Sequence, residues 1–214
     1  MSRMCWRNIP ANGADRPQSG SVENGRHMRL IMPEKQQLMW LQQLLLEHAP
    51  ASRTAWRIWL ETDTASAQAG TPAFLERVSI MLRQRGAMAN LSLRENLLLP
   101  FLYHAEAEAL LQAETDLPAV AEFLGLTDEL DRQAGECSPY THRLISLGRA
   151  LLQKPAIIVA QDIHVGIPFE DLPAFRTRFA EALKQLRSGL LYLASSEQED
   201  WGLHFDQPIR GSAS

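Results

Sequence analysis

The sequence of 214 residues has only three lysines and two cysteines, and it has no long apolar run. Two cysteines cannot form the disulfide framework of a small secreted domain, so a reducing, cytosolic setting is expected. No apolar run approaches the roughly 18–20 residues that cross a bilayer, and the N-terminal region lacks the apolar core of a signal peptide, so neither is expected. A net charge of −4 and a pI of about 5.9 argue against a nucleic-acid partner, which would favour a basic face.

Glycine is scarce where a phosphate-binding loop would need it. The chain has 12 glycines, and none lies between Gly25 and Gly70. Such loops depend on glycine, because the backbone must approach the anion closely with its N–H groups exposed. Histidine and cysteine are dispersed, without an H-x-x-x-H pair or a Cys/His cluster, so no metal site is predicted. A G-x-S-x-G motif is also absent, which excludes the nucleophile elbow of an α/β-hydrolase.

Hydrophobic periodicity predicts an α/β chain. Short apolar runs bounded by polar or turn residues favour buried strands, and apolar residues at helical spacing favour amphipathic helices. Near the C-terminus a strand, a helix and a second strand follow one another, which is the βαβ pattern of a parallel sheet. The predicted strands cover 28–32, 55–60, 78–82, 156–160 and 190–194; the predicted helices cover 35–45, 92–113 with a kink or boundary at Pro100, 118–124, 141–153 and 171–186; a polar loop is predicted over 62–71.

Asp162 is the first candidate for chemistry, because it follows the apolar strand at 156–160. Ligands bind outside the carboxyl ends of parallel strands, so a carboxylate at this place is suited to metal or phosphate chemistry. A solvated acid at a strand end accounts for the position equally well. The position alone leaves both interpretations open.

Three separated segments carry a resemblance to a known family. They are NLSLRENLLLPFLYH at 90–104, CSPYTHRLISLGRALLQKPAIIVAQD at 137–162 and LLYLASSEQED at 190–200. In this order and spacing, the chain resembles the nucleotide-binding subunit of ABC transporters, and most of all the ATPases of Mla-type (MCE) lipid transporters. The resemblance implies a P-loop NTPase-like (RecA-like) α/β core with an ABC-type helical subdomain. The expected limits are an irregular arm at 1–21, the ATPase-like domain at 22–209 with a helical insert at about 90–147, and a tail at 210–214.

The phosphate loop of that family is truncated in this chain. Its pattern, GxxGxGK[ST], holds a triphosphate through backbone N–H groups, a lysine and a hydroxyl that binds Mg²⁺. By resemblance Lys35 takes the lysine position, and Gln36 replaces the hydroxyl. The preceding Met32-Pro33-Glu34 is several residues too short, has no glycine and adds a negative charge. Lys35 is therefore predicted to be a solvated lysine at the start of a helix, with nucleotide binding as the alternative.

The carboxylates that bind Mg²⁺ and activate water in the family are altered as well. Counted from Pro155, Gln161 occupies the position of the metal aspartate, and Asp162 occupies that of the catalytic glutamate. Gln161 is neutral and a poor ligand for Mg²⁺, and Asp162 is one methylene shorter than glutamate. A register shifted by one residue would make Asp162 the metal ligand and put Ile163 at the glutamate position. In either register one carboxylate is missing.

The motifs that contact the γ-phosphate also depart from the family. The signature loop, LSGGQ in most members, corresponds to residues 137–141, of which only Ser138 is kept, and Arg143 matches the arginine that follows. Ser196 stands at the switch histidine, and Gln84, or Arg83 after a shift of one residue, stands at the Q-loop glutamine. Since each site of an ABC dimer joins one subunit's phosphate loop to the other's signature, this chain would impair both sites.

The chain keeps the region that receives a membrane permease in the family. Arg94, Glu95, Asn96 and Leu98 lie in the segment beside the groove for the permease's coupling helix. The resemblance therefore predicts a non-hydrolysing ABC subunit with a structural or regulatory role and no cofactor. It would dock through a transmembrane permease on the inner face of the cell membrane, in a lipid or solvent-tolerance system, as a homodimer or as a heterodimer with another such subunit.

Two alternatives stay open. The chain is a slow ATPase that uses Lys35 and Asp162 with Mg-ATP, or it is a soluble regulator on an ABC scaffold without a permease. Binding of Mg-ATP that is lost on Lys35→Ala would favour the ATPase. A monomer that does not associate with membranes would favour the regulator.

Overall fold

A computed structural model of the chain describes residues 1–9, 18–45, 57–83, 86–104, 107–196 and 203–210. The elements in chain order are β1 Ser2–Ile9, β2 Gln18–Glu23, β3 His27–Ile31, α1 Glu34–Leu45, β4 Arg57–Thr62, β5 Ser66–Gln68, α2 Pro72–Leu75, β6 Val78–Met81, α3 Leu93–His104, α4 Ala107–Leu124, α5 Pro139–Gln153, β7 Ile157–Gln161, α6 Leu172–Leu186, β8 Gly189–Ala194 and β9 Gln207–Arg210, with short 3₁₀ turns at Thr127–Glu129 and Ala134–Glu136. They form two units: unit 1 holds Met1–Ile80, Pro155–Asp162 and Arg187–Ser214, and unit 2 holds Met81–Lys154 and Ile163–Leu186.

Unit 1 contains an antiparallel sheet of four strands in the order β2-β1-β4-β5. Side chains alternate between its two faces, as the period of two residues in a strand requires. On the inner face, Met4, Trp6, Ile58 and Leu60 are buried, and the Trp6 ring meets the Trp40 ring of α1 edge to face at 5.6 Å between centroids. This face is one side of the core of unit 1.

Residues 1–21, predicted as an irregular arm or an irregular strand edge, form regular strand over β1 and the start of β2. β1 pairs with β2 from Arg3↔Glu23 to Ile9↔Gln18, and with β4 on its other side. The apolar residues of β1, Met4, Cys5 and Trp6, are consecutive rather than alternating, and polar residues and glycines follow the strand, so the segment has no clear strand pattern. Residues 10–17 lie outside the described residues.

Unit 1 also contains the parallel sheet, in the order β6-β7-β8-β3-β9. All five residues of β7 and all six of β8 are buried, as expected for strands covered on both faces. The predicted strands at 28–32, 78–82, 156–160 and 190–194 are thereby confirmed within one or two residues, and the one at 55–60 is confirmed where the structure describes it. Their carboxyl ends place Asp162 and Ser195 beside the start of α1.

Two edge strands escaped the sequence analysis. β5 lies inside the polar loop predicted over 62–71 and has only three residues, too few for a periodic pattern. β9 pairs with β3 from Met28↔Gln207 to Ile31↔Arg210, and it contains a proline, which argues against a strand except at a sheet edge. The predicted tail at 210–214 therefore loses Arg210 to β9, and 211–214 lie outside the described residues.

Unit 2 is built around α5, which packs on α3, α4 and α6. Ten of the fifteen residues of α5 are buried. Gly148 lets the helices come close, because a Cβ there would meet the methyl groups of Leu97 and Leu124. α3, α4 and α5 account for the predicted helical insert at 90–147, except that α5 runs on to Gln153.

Neither proline of α3 and α4 is a helix boundary. Pro100 lies inside α3, and Pro118 lies inside α4, which is one helix where two were predicted. A proline removes one backbone hydrogen bond, but the buried face of α4, which includes Ala113, Leu117 and Ala121, stabilises the continuous helix.

Candidate functional site

The turn from β3 to α1 in unit 1 is short and has few backbone amides available to an anion. Only Met32 and Pro33 separate the two elements. The Met32 N–H donates to the Ala194 carbonyl at 2.9 Å, and the N–H groups of Gln36 and Gln37 donate to the Pro33 carbonyl at 2.9 and 3.1 Å. Since Pro33 itself has no N–H, four of the six backbone positions from 32 to 37 offer no amide to an anion.

Lys35 lies in the first turn of α1 and is exposed. Among the described residues its ammonium has no hydrogen-bond or ion-pair partner, so it is not held toward Asp162. This placement fits the prediction of a solvated lysine at a helix start.

Asp162 is fully buried, and its carboxylate is bound by the protein itself. One oxygen accepts a hydrogen bond from the Ser195 N–H at 3.1 Å. The other accepts from the Ser195 hydroxyl and from the Gln37 Nε2 at 3.3 Å. Asp162 has a φ of 39°, a left-handed conformation that aspartate tolerates better than most residues. The carboxylate therefore acts as an acceptor that joins the ends of β7 and β8 to α1.

Gln37 and Ser195 are the two residues of this cluster that the sequence analysis missed. Gln37 is fully buried on the same face of α1 as Trp40 and Leu44, and its Nε2 also donates to the Met32 carbonyl at 3.1 Å. A glutamine within a buried helical stripe needs a polar partner, and that pattern was the available signal. Ser195 gave no such signal, because a serine after a strand is commonplace.

The other predicted nucleotide residues of unit 1 lie at the ends of the same strands. Gln161 is the last residue of β7, pairs in register with Leu193 and is buried. Ser196 is half-buried, one residue beyond the Ser195 that binds Asp162. Gln84, the candidate Q-loop residue, lies outside the described residues.

In unit 2, Ser138 serves as the N-cap of α5. Its hydroxyl accepts a hydrogen bond from the Thr141 N–H at 3.2 Å, and Pro139 follows at the first helical position. Serine before proline is a preferred helix start. Tyr140 is also engaged, since its hydroxyl accepts from Arg178 at 2.8 Å. Ser138 and Pro139 therefore begin and cap α5. In the family that the sequence resembles, glycines at this place offer backbone amides to a phosphate.

Arg143 is buried at 6% exposure and binds backbone carbonyls. Its Nε donates to Ile163 at 2.8 Å, and its terminal nitrogens donate to Leu82 at 3.3 Å, to Val165 at 3.0 Å and to Arg83. The planar guanidinium suits this role because its five donors point in fixed directions. Arg143 thus connects the backbone that follows β6 to the backbone that follows β7. All four of these carbonyls belong to unit 2.

The four residues predicted to dock a permease separate into two kinds. Arg94 and Glu95 are exposed, and Glu95 forms a capping box with Ser92 at the start of α3, with distances of 2.7 and 3.1 Å. The hydrogen bond from the Ser92 backbone N–H, with a further one from its side chain, lowers the pKa of Glu95. Asn96 and Leu98 are buried and offer no side-chain surface to a partner. Docking through Arg94 and Glu95 stays a prediction.

Asn96 instead organises the interior of unit 2. Its amide donates to the carbonyls of Met88, Leu91 and Ser92, and its Oδ1 accepts from the Met88 N–H at 2.7 Å and from Arg149 at 3.0 Å. Burial lowers the pKa of Arg149 to about 10, so the side chain is still cationic at neutral pH. Asn96 therefore stabilises a buried charge as well as a loop.

Two broader searches concern only the residues that the structure describes. They contain no group of three or more histidines, cysteines, aspartates and glutamates arranged to hold a metal ion. None of their helices is both long and apolar enough to span a bilayer.

Comparison with known proteins identifies the fold. No protein-family model and no curated protein sequence matches the chain. Among solved structures, a nucleotide-free ATP-binding cassette from an ABC transporter is similar with a TM-score of 0.67 and 20% identity, over 98% of this chain and 87% of that one. The ADP conformation of MJ1267, an ATP-binding cassette of an ABC transporter, gives a TM-score of 0.64 and 22% identity, over 91% and 81%.

A third solved structure, described as the ATP-binding subunit of an ABC transporter, has a TM-score of 0.65 and 14% identity, over 89% of this chain and 78% of that one. At these identities the likeness establishes the fold. The chain has the P-loop NTPase fold of an ATP-binding cassette, which confirms the predicted fold class. Within that fold, the turn at the phosphate loop is short, and the buried carboxylate is bound by side chains of the chain itself.

Proposed function

We propose that the chain is a non-hydrolysing subunit of an ABC transporter. The observation that carries the proposal is the state of Asp162: its carboxylate is fully buried, and both of its oxygens are occupied by hydrogen bonds from Ser195 and Gln37. A catalytic carboxylate has to reach an attacking water, which a buried and internally bonded group cannot do. The subunit therefore needs no Mg-ATP, and its role is structural or regulatory.

The short turn between β3 and α1 supports the same proposal from a second direction. Its amides are occupied at Met32, Gln36 and Gln37, and Pro33 has none. Phosphate binding at a helix N-terminus depends on several convergent amides. Without these amides, Lys35 can attract a triphosphate by its charge, but the turn cannot bind the phosphate oxygens through its backbone.

The partner we propose is a transmembrane permease, bound on the cytoplasmic face of the cell membrane. The support is the ATP-binding cassette fold together with the exposed Arg94 and Glu95 at the start of α3. The resemblance of the sequence to Mla-type ATPases suggests a lipid transport system of the MCE type. In the complex the chain would pair with a second copy or with another subunit of this fold.

Nucleotide binding is tested by calorimetric titration of the purified chain with Mg-ATP. We expect no binding up to about 1 mM, a concentration that corresponds to roughly 4 kcal/mol of affinity. Lys35→Ala should behave as the wild type, and its free energy of unfolding should change by less than about 0.5 kcal/mol, since Lys35 is exposed. Micromolar binding that Lys35→Ala abolishes would overturn the proposal in favour of a slow ATPase.

Docking is tested by co-expressing the chain with the permease encoded beside it and purifying from membranes. We expect stoichiometric recovery of both proteins. Arg94→Glu should weaken the association, because it reverses a charge on the exposed start of α3. The variant should still fold, because the exposed ion pair of Arg94 with Asp131, at 3.8 Å, contributes little to stability. Arg176→Glu, which reverses the charge of an exposed arginine on α6 in the same unit, is the matched control. A wild-type chain that stays monomeric and apart from membranes would instead indicate a soluble regulator.

A further inference from the structure

The outer face of the antiparallel sheet in unit 1 carries a groove of about 340 Å³ that the proposed function does not use. Of the described residues, those that line it are Arg7, Arg57, Trp59, Ser66 and Gln68. A groove of this size lies within the range of small-ligand sites. Its lining comes from neighbouring strands, β1, β4 and β5, so a rigid scaffold holds the side chains.

Two arginines stand side by side in the groove. Arg7 and Arg57 are direct partners in the pairing of β1 with β4, which places their Cβ atoms about 5 Å apart on one face. Both are exposed, and neither forms an ion pair with any carboxylate in the described part of the chain. Like charges directly opposite each other destabilise a strand pair. A bound anion would remove that repulsion.

Two acidic residues lie on this face on either side of Arg3, Glu23 on β2 and Glu61 on β4. Glu61, four positions along β4 from Arg57, accepts a hydrogen bond from Arg3 at 2.6 Å and another from the Trp59 Nε1 at 2.8 Å. These hydrogen bonds, that from Trp59 first, lower the pKa of Glu61, so it stays a carboxylate paired with Arg3. Among the described residues, Arg3 with its two acidic neighbours therefore occupies one end of this face, and the two groove arginines, without a carboxylate partner, occupy the other.

Trp59 gives the groove an apolar wall. The indole is half-buried, and its N–H is committed to Glu61, so the ring offers only its apolar surface to a ligand. Gln68 lies across from Trp59 in the pairing with β5 and adds an uncharged hydrogen-bonding group. A ligand that fits has two negative charges close together next to a planar or apolar group.

We propose that Arg7, Arg57 and Trp59 form a binding site for a phosphate monoester. Such a group carries close to two negative charges at neutral pH, and arginine forks bind phosphate oxygens in pairs. The apolar part of the ester packs on the Trp59 ring. Both a soluble phosphate ester and the headgroup of a membrane lipid have this chemistry.

The site is tested with the full chain by calorimetric titration of phenyl phosphate, and by flotation with phosphatidylcholine vesicles with and without phosphatidic acid. We expect phenyl phosphate to bind, and R7Q or R57Q to weaken that binding about tenfold or more, the equivalent of one charge-assisted hydrogen bond. The matched control is R3Q, which removes one positive charge from the same face outside the groove. It should change the affinity less than twofold.

The two arms separate the sources of the phosphate. Flotation with phosphatidic acid that R57Q abolishes would assign the site to a lipid headgroup, and binding of phenyl phosphate alone would assign it to a soluble ester. A cooperative unfolding transition of R57Q without ligand shows that this variant is folded, and the ligand should raise its unfolding temperature less than it raises that of the wild type. No binding of either probe up to about 10 mM, or an equal loss in R3Q, would overturn the proposal.

Discussion

Replacing Arg143 by methionine is expected to lower the free energy of unfolding by about 3 kcal/mol. Methionine keeps most of the volume of the side chain but removes all of its donors. Four backbone carbonyls, at positions 82, 83, 163 and 165, then lose a charged hydrogen-bond donor inside the protein. The measurement is urea unfolding monitored by circular dichroism. The midpoint and the slope of the transition are compared between the variant and the wild type.

Two further variants control this result. Arg143→Lys keeps the charge but offers a single, flexible ammonium, so its loss should be intermediate. Arg94→Met removes an exposed arginine from the same unit and should change the free energy of unfolding by less than about 0.5 kcal/mol. A stability of Arg143→Met equal to that of Arg94→Met would show that the carbonyl contacts of Arg143 do not stabilise the fold.

Replacing Asp162 by alanine is expected to destabilise the chain by about 2–3 kcal/mol, with no effect on ATP hydrolysis, which should be at background before and after. The variant leaves the Ser195 N–H, the Ser195 hydroxyl and the Gln37 amide without their acceptor, and of these groups the Gln37 side chain is fully buried in unit 1. A carboxylate used for catalysis behaves in the opposite way, because its loss removes turnover and leaves stability almost unchanged.

The partners of Asp162 allow a double-mutant cycle. Ser195→Ala and the Asp162→Ala/Ser195→Ala double variant should give a coupling energy of about 1 kcal/mol, since the two side chains are in direct contact. Asp131→Ala is the matched control, because that carboxylate is 95% exposed. A stable Asp162→Ala variant that has lost a measurable wild-type ATPase activity would refute the structural role of Asp162.

Elements with a strong hydrophobic pattern could be predicted from the sequence, and elements that depend on a neighbouring strand could not. β7 and β8 are continuous apolar runs, and α5 and α6 have long amphipathic patterns, so their sequences carry their own signal. β1, β5 and β9 depend on the strands they pair with, because a short or polar segment becomes a strand only when a neighbour completes its hydrogen bonds.

The candidate site shows the same division. The truncated turn before Lys35 follows directly from the spacing and residue types at 32–36, since proline has no N–H and a short connection cannot curve around a phosphate. The burial of Asn96 could not be predicted, because its partner Arg149 is brought to it by the packing of α3 on α5. An asparagine in an exposed helix start has the same local sequence.

The sequence by itself therefore determined which residue types are present: no glycine between Gly25 and Gly70, and a proline in the turn before Lys35. Absent atoms cannot be supplied by folding, so such conclusions need no tertiary structure. Only the tertiary structure decided what the remaining groups do. It joined Asp162 to Gln37 and Ser195, residues 125 and 33 positions away, and it set Arg7 beside Arg57 across a strand pair. Contacts of this kind depend on burial and register, which the order of residues along the chain does not contain.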